Sequence, residues 1–257
     1  MYYYLTADER TGDVMRETLD ADRPLAAVDP VRKLANQPPK GPYPVLASFG
    51  TDWASLAANW LTEWERTGST RYRDRILTGM RDIAGMPHGF FNAERKGYEP
   101  ETGRLHNMIG TNVAASHLNA VFGAVEIFDE LIALTGDREF ERAWLDYCEL
   151  YNAPAAEQRR RLGHTHGGTN ALYQGHSRLT AYAAWKRRDP ALAARAWQEF
   201  ANADRPYLPL IPVRVAGAAV LNPVDEVPWV TTNDSAQWGL AAIQNLALIG
   251  AALPPST

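Results

Sequence analysis

Between Gly163 and Arg178 the chain reads GHTHGGTNALYQGHSR, which places His164, His166, Tyr173, His176 and Arg178 within sixteen residues. Imidazole and phenol groups exchange protons, and a guanidinium holds an anion, so this stretch carries the means for acid–base chemistry beside a negative charge. Tyr173 and His176 are three apart and share one face of a helix; Arg178 falls toward the adjacent side. His117, in the run NVAASHLNA, stands where a long polar stretch turns into an apolar helix. A helix start lowers the pKa of a histidine and favours anions, which suits a base. His164 and His166 form a His-x-His pair with no carboxylate close by in sequence, a weak metal signal, so neither a metal nor a cofactor is expected.

Further polar and aromatic residues fall at similar positions. Trp53 and Asn59 follow one polar stretch, Asn112 and Asn119 flank His117, and Asn233 and Trp238 open the last apolar segment. These, with His166 and the loop residue Tyr98, are the candidate ligand contacts, and flat rings with a polar edge suit stacking against sugars. Each has a plainer reading. Tyr98 serves equally as a loop staple, Asp52 and Asp234 as helix caps, and Trp60, Trp64, Trp144, Trp185 and Trp197 lie at helical spacing and are expected in the core.

The elements that position these residues recur. Four segments share one layout, an apolar helix, a small polar turn and a second helix rich in charge and aromatics, with turns at Asp8, Ser69, Asp137 and Asp189. Gly68 and Gly136 can end a helix in the left-handed conformation, and Ser69, Asp137 and Asp189 can cap the helix that follows, with Pro190 in its first turn. The segment from Ala120 to Leu134 is almost wholly apolar, whereas Arg138 to Tyr151 alternates charge with Phe140, Trp144, Tyr147 and Leu150. An inner and an outer ring of helices would produce that asymmetry. The expected fold is all-α: an incomplete (α/α) toroid of about four helical hairpins plus one inner helix, from 234 to 253, in a single domain over 1–257. Long polar loops at 36–52, 87–112, 153–170 and 203–232 each precede an inner helix and so are expected on one rim. The first inner helix is mostly missing and the last lacks an outer partner, so the chain is expected to be the C-terminal part of a longer protein.

Composition excludes several classes. With 26 Lys and Arg against 30 Asp and Glu there is no electrostatic footprint for nucleic acid, and Arg159 to Arg161 reads as a solvated run. Cys148 is the single cysteine, which excludes an internal disulfide. No segment reaches the roughly 18 apolar residues of a membrane span, and the opening MYYYLTADERTGDVM lacks the pattern of a secretory signal.

The stretches SFGTDWASLAANWLTEWERTGSTRYRDRILTGMRDIAGMPHGFF, GYEPETG, SHLNAVFGAVEIFDEL and NDSAQWGLAAIQNLALIG resemble the C-terminal α/α-toroid domain of the exo-rhamnogalacturonan lyase and YetA-like family, polysaccharide lyase family 26. The resemblance covers nearly the whole chain. It implies cleavage of pectic rhamnogalacturonan at a galacturonate by β-elimination, a uronate-containing glycan as partner, a secreted or periplasmic setting, and upstream β-rich domains that this chain does not contain. Such chemistry requires a group that neutralises the carboxylate, a base for the C5 proton and an acid for the leaving O4. Tyr173 and His176 are then expected as base and acid in either order, Arg178 against the carboxylate, and His117 as a further base. Two alternatives stand beside this reading. One is a glycoside hydrolase built on Glu63, Glu65 or Glu126, none of which has a partner legible from spacing. The other is a non-catalytic, glycan-binding or truncated toroid.

Overall fold

A computed structural model describes residues 2–26, 42–43, 45–92, 96–121, 123–167, 172–202, 212–226 and 232–254. They form two compact units, one of residues 1–147 and 155–168, the other of 148–154 and 169–257.

The first unit opens with helices α1 (Tyr2–Thr6) and α2 (Glu9–Glu17), followed by strand β1 (Val45–Ala47) and the hairpin of α3 (Ala54–Thr67) and α4 (Thr70–Ala84). Strands β2 (Lys96–Glu99) and β3 (Arg104–His106) come next, then the short α5 (Leu118–Val121) and the hairpin of α6 (Ala124–Thr135) and α7 (Arg138–Leu150). The last turn of α7 belongs to the second unit. Helix α8 (Ala155–Leu162) completes the first unit within the stretch expected to be loop.

The hairpin turns follow the chemistry of their residues. Gly68 and Gly136 take φ of 70° and 65°, and their N–H groups bond to the carbonyls of Trp64 and Ile132 at 2.8 and 2.9 Å. That left-handed closure satisfies carbonyls the helix end leaves open. The Asp137 carboxylate accepts from the N–H groups of Glu139 and Phe140 at 3.1 and 3.0 Å, as a cap should. Ser69 departs from expectation: it makes no side-chain cap bond, and its own N–H donates to Thr67 Oγ1 at 3.2 Å.

The core of this unit is aromatic. Phe90 lies within ring contact of Phe49, Phe128, Phe140, Trp144 and Tyr147, and Trp53 packs against Phe128 and Phe140. Each such ring, removed from water, contributes about 1.5–3 kcal/mol. Gly79 of α4 lies directly beneath Trp53, and any side chain there would meet the indole.

The chain is mostly helical, as expected, and the polar loops add short strands. β1, β2 and β3 form an antiparallel sheet in that order, with Val45 opposite Tyr98 and Gly97 opposite His106. Its outer strands are three residues long, too short to show an alternation. The inner helix expected through 120–134 is broken: Gly123 takes φ 80° and a fresh helix starts at Ala124, leaving α5 as a single turn. α6 is not buried all round either, since Leu134 is exposed at its end.

The second unit is simpler. α9 (Tyr173–Arg187) and α10 (Pro190–Ala201) form a hairpin, β4 (Val213–Val215) and β5 (Val224–Glu226) a small antiparallel ribbon, and α11 (Thr232–Ile249) packs along α9. Asp189 caps α10 through the N–H groups of Ala191 and Leu192 at 2.8 and 3.1 Å, with Pro190 in the first turn. α9 is buried continuously from Gln174 to Ala184, the all-round burial expected of an inner helix. α11 buries Gln237, Ala241, Asn245 and Ile249 and leaves Leu240, Ile243 and Leu246 exposed. No helix among the described residues is long and apolar enough to cross a membrane.

Candidate functional site

Among the described residues, helix starts come together in each unit. In the first, one wide turn of π type over Phe49–Trp53 leads into α3, and the Trp53 N–H reaches back five residues to the Ser48 carbonyl at 3.0 Å. The Asp52 carboxylate closes the turn by accepting from the backbone N–H and the hydroxyl of Ser48 at 2.7 and 2.8 Å. Asp52 therefore does not cap α3 as expected: it lies inside the turn and binds back to Ser48, and the N-cap position of α3, Trp53, makes no side-chain cap bond. Gly50 sits against the backbone of α5: an added Cβ would come within 2.6 Å of the Leu118 carbonyl oxygen and 2.8 Å of the Asn119 Cα.

His117 lies half-buried at this junction. Its carbonyl accepts from Ala120 and Val121 at 3.3 and 3.4 Å, and the helix it heads has only four residues. Several expected ligand contacts belong to the fabric of the unit instead. Trp53 is 0% exposed within the aromatic core and offers no face to a sugar. Tyr98 is equally buried, donating its hydroxyl to Asp22 at 2.6 Å and accepting from Arg75 at 3.2 Å, so it is the staple rather than the platform. Asn119 is buried beneath Gly50. His166 is buried with its ring stacked on Phe91 at 5.7 Å, which makes it an anchor of its loop. Asn59 is half-buried on α3, and Asn112 is exposed, its carbonyl accepting from the Asn92 amide at 2.8 Å.

In the second unit the junction is polar. Gln174 donates to the carbonyls of Phe200 and Ala201 at 2.6 and 3.2 Å, joining the start of α9 to the end of α10. Gly175 lies against α11, where an added Cβ would stand 3.2 Å from that of Gln237. Trp238 stacks on Phe200 with ring centroids 5.0 Å apart and keeps 41% of its surface exposed. Tyr173 is half-buried and Asn233 exposed, so these three expected residues share one end of the unit.

His176 and Arg178 do not face that end as expected. His176 is 2% exposed, its Nδ1 lies 2.9 Å from the Leu172 carbonyl oxygen, and its ring stacks on Tyr151 at 4.7 Å. Arg178 is 1% exposed, with Nη1 3.4 Å from Gln244 Oε1. The reason is the all-round burial of α9 from Gln174 to Ala184, a stretch that includes both residues. His176 supports the start of the helix and Arg178 is part of the contact between α9 and α11.

Behind Tyr173 lies a buried acid that the sequence reading passed over. Glu199 of α10 accepts from Thr180 Oγ1 at 2.7 Å and from Asn152 Nδ2 at 3.1 Å on one oxygen, and its other oxygen lies 3.1 Å from Arg195 Nε. The same Asn152 nitrogen donates to the Tyr173 carbonyl at 3.0 Å. Burial pushes the Glu199 carboxyl up to about 7, outweighing the lowering by Arg195 and by its hydrogen bonds. Burial first, and then the charge of Glu199, raise the Tyr173 phenol above its ordinary value, against a smaller lowering by Arg195. One signal was available: Leu192, Ala196 and Glu199 follow the i, i+4, i+7 spacing of a buried stripe.

The acids considered for hydrolysis lie elsewhere. Glu63 pairs with Arg66 at 3.2 Å, and Glu65 accepts from the Tyr4 hydroxyl at 2.8 Å near the end of α3 remote from the wide turn. Glu126 is exposed. Glu130 shares a hydrogen bond with Glu65, and its carboxyl is raised first by burial and then by that neighbouring charge. Among the described residues no group of three or more His, Cys, Asp or Glu is arranged to hold a metal ion.

Comparison with known proteins agrees with this architecture. The chain is 38% identical over 261 residues to the uncharacterized protein YetA of Bacillus subtilis (strain 168), an alignment covering 98% of this chain and 29% of that protein. It therefore spans less than a third of that relative's length. Residues 1–254 match the PcRGLX-like protein C-terminal alpha/alpha toroid domain. By extent of match and by its succession of helical hairpins, the chain belongs to the family of PcRGLX-like C-terminal α/α toroid domains.

Proposed function

We propose that the four hairpins and α11 are consecutive parts of an α/α toroid that acts on a uronate-containing pectic glycan of the rhamnogalacturonan type by β-elimination. Membership of the family supports the substrate class, and the observation that supports the chemistry is a half-buried phenol, Tyr173, at the start of α9, where Gly175 packs against Gln237 of α11, the residue next to the exposed ring of Trp238. With its pKa raised, the phenol stays protonated throughout the neutral range and suits the acid rather than the base. In the reaction a base removes the C5 proton, the electron pair forms the C4–C5 double bond, the C4–O4 bond breaks, and the phenol gives its proton to the departing O4. Trp238 offers an apolar face to a pyranose, and Asn233 an amide to its hydroxyls.

The test is incubation of the protein with rhamnogalacturonan oligosaccharides. An unsaturated uronate, seen by ultraviolet absorbance, is the expected product, and Tyr173→Phe should reduce its rate by about 100-fold or more. New reducing ends without unsaturation would mean hydrolysis, and absence of both product and binding would leave a structural toroid.

A further inference from the structure

We propose that Glu199 is a positioning residue for Tyr173, holding the start of α9 through Asn152 and making that hold depend on the proton that Glu199 binds. The proposal deepens the assignment of Tyr173 to the site and rests on it for its functional meaning.

The geometry is a short relay. The Asn152 side-chain nitrogen has two hydrogens, and the structure gives one to the Tyr173 carbonyl at 3.0 Å and the other to Glu199 Oε2 at 3.1 Å. The same carboxylate oxygen takes the Thr180 hydroxyl at 2.7 Å, so Glu199 cannot turn toward water unless Asn152 and Thr180 release it. Tyr173 opens α9, and the residue before it, Leu172, stands in the left-handed region at φ 65°. The turn that presents the phenol therefore starts from a strained residue and is held in place partly by Asn152.

Among the described residues, four groups face Glu199. Arg195 of α10 lies 3.1 Å from Oε1, Thr180 and Tyr173 face it from α9, and Asn152 from the segment after α7. Arg195 also bonds to the Glu149 carbonyl, and the Glu149 carboxylate is itself paired with Arg187. When neutral, Glu199 can carry its proton on Oε1 and keep Oε2 as the acceptor of both bonds. When ionised, it is a charge 2% exposed whose burial outweighs the lowering by Arg195 and the hydrogen bonds, so conformations that hydrate it gain weight as pH rises from 4.5 toward about 7. In those conformations Asn152 no longer spans the two groups and the first turn of α9 is loosened.

Amide hydrogen exchange of the intact 257-residue protein reads this directly. After correction for intrinsic rates, protection over 173–177 should fall by about tenfold or more from pH 5 to pH 7 and level off above that, and should stay flat in Glu199→Gln. Asn152→Ala is the second variant: it should abolish the pH response at the start of α9 while leaving one in α10. Identical pH dependence in wild type and Glu199→Gln, no pH dependence in the wild type, or a response at α9 that survives Asn152→Ala would each overturn the proposal. Because no glycan is present, a failure to find lyase activity would sink the functional reading and leave this result standing.

Discussion

At the start of α3 the close approach is made by Gly50 against the backbone of Leu118 and Asn119, and the rings of Trp53, Phe90, Phe128, Phe140 and Trp144 lie behind it. At the start of α9 the approach is again made by a glycine, Gly175, but behind it lie Asn152, Thr180, Arg195 and Glu199. Both junctions bring helix starts together. In the first the material behind is apolar, and the side chains that could have met a glycan are consumed by packing. In the second it is polar and titratable, and a phenol and an indole are left at the surface. Equivalent positions in two copies of one repeat thus carry an apolar and a polar burial pattern.

Trp53→Ala separates the junctions most sharply. It should cost about 3–5 kcal/mol, and amide exchange should place the loss in the first unit, with the start of α9 little changed. If both lose protection together, the contrast between the two junctions is not an energetic one. Next in size is the pH response of Glu199. Its folded value of about 7 lies above the ordinary 4.5, so the stability of the second unit is highest below 4.5, falls as pH rises toward 7 and then levels. The loss amounts to about 3 kcal/mol, which denaturation curves for wild type and Glu199→Gln should show as a difference that grows with pH and then saturates. Asp189→Ala removes two cap bonds from α10 and should cost about 1 kcal/mol in thermal or denaturant unfolding, at any pH. Tyr173→Phe should change stability by less than about 0.5 kcal/mol, since the bond that holds this residue uses its carbonyl. A large stability loss there would recast the phenol as a structural group.

The hairpins were legible because a glycine or an Asp-Pro pair acts locally: Gly68, Gly136 and Asp189 with Pro190 do in the structure what their chemistry dictates. The strands were not legible, since three residues such as Val45–Ala47 acquire their form from their neighbours in the sheet. The break at Gly123 was hidden by the apolar residues on either side of it. For the candidate site, the sequence reading put Tyr173, Asn233 and Trp238 near helix starts, and the structure has Tyr173 opening α9 and Asn233 and Trp238 within the first two turns of α11. It misjudged His176 and Arg178 because position on a helix face says nothing of whether the helix has an exposed face at all. It missed Glu199 because a carboxylate four residues after an arginine reads as a surface pair, and only the bonds from Asn152 and Thr180 show it to be interior.

The wide turn at Phe49–Trp53 holds one residue of slack ahead of α3. Removing that residue, for example by deleting Thr51, would bring Ser48 and Asp52 to the three-residue separation of an ordinary capping box and let an α turn form in its place. Downstream of the deletion the helix need not rotate, because the surplus is absorbed where it arises. This stretch can therefore lose one residue while the indole of Trp53 keeps its seat over Gly79.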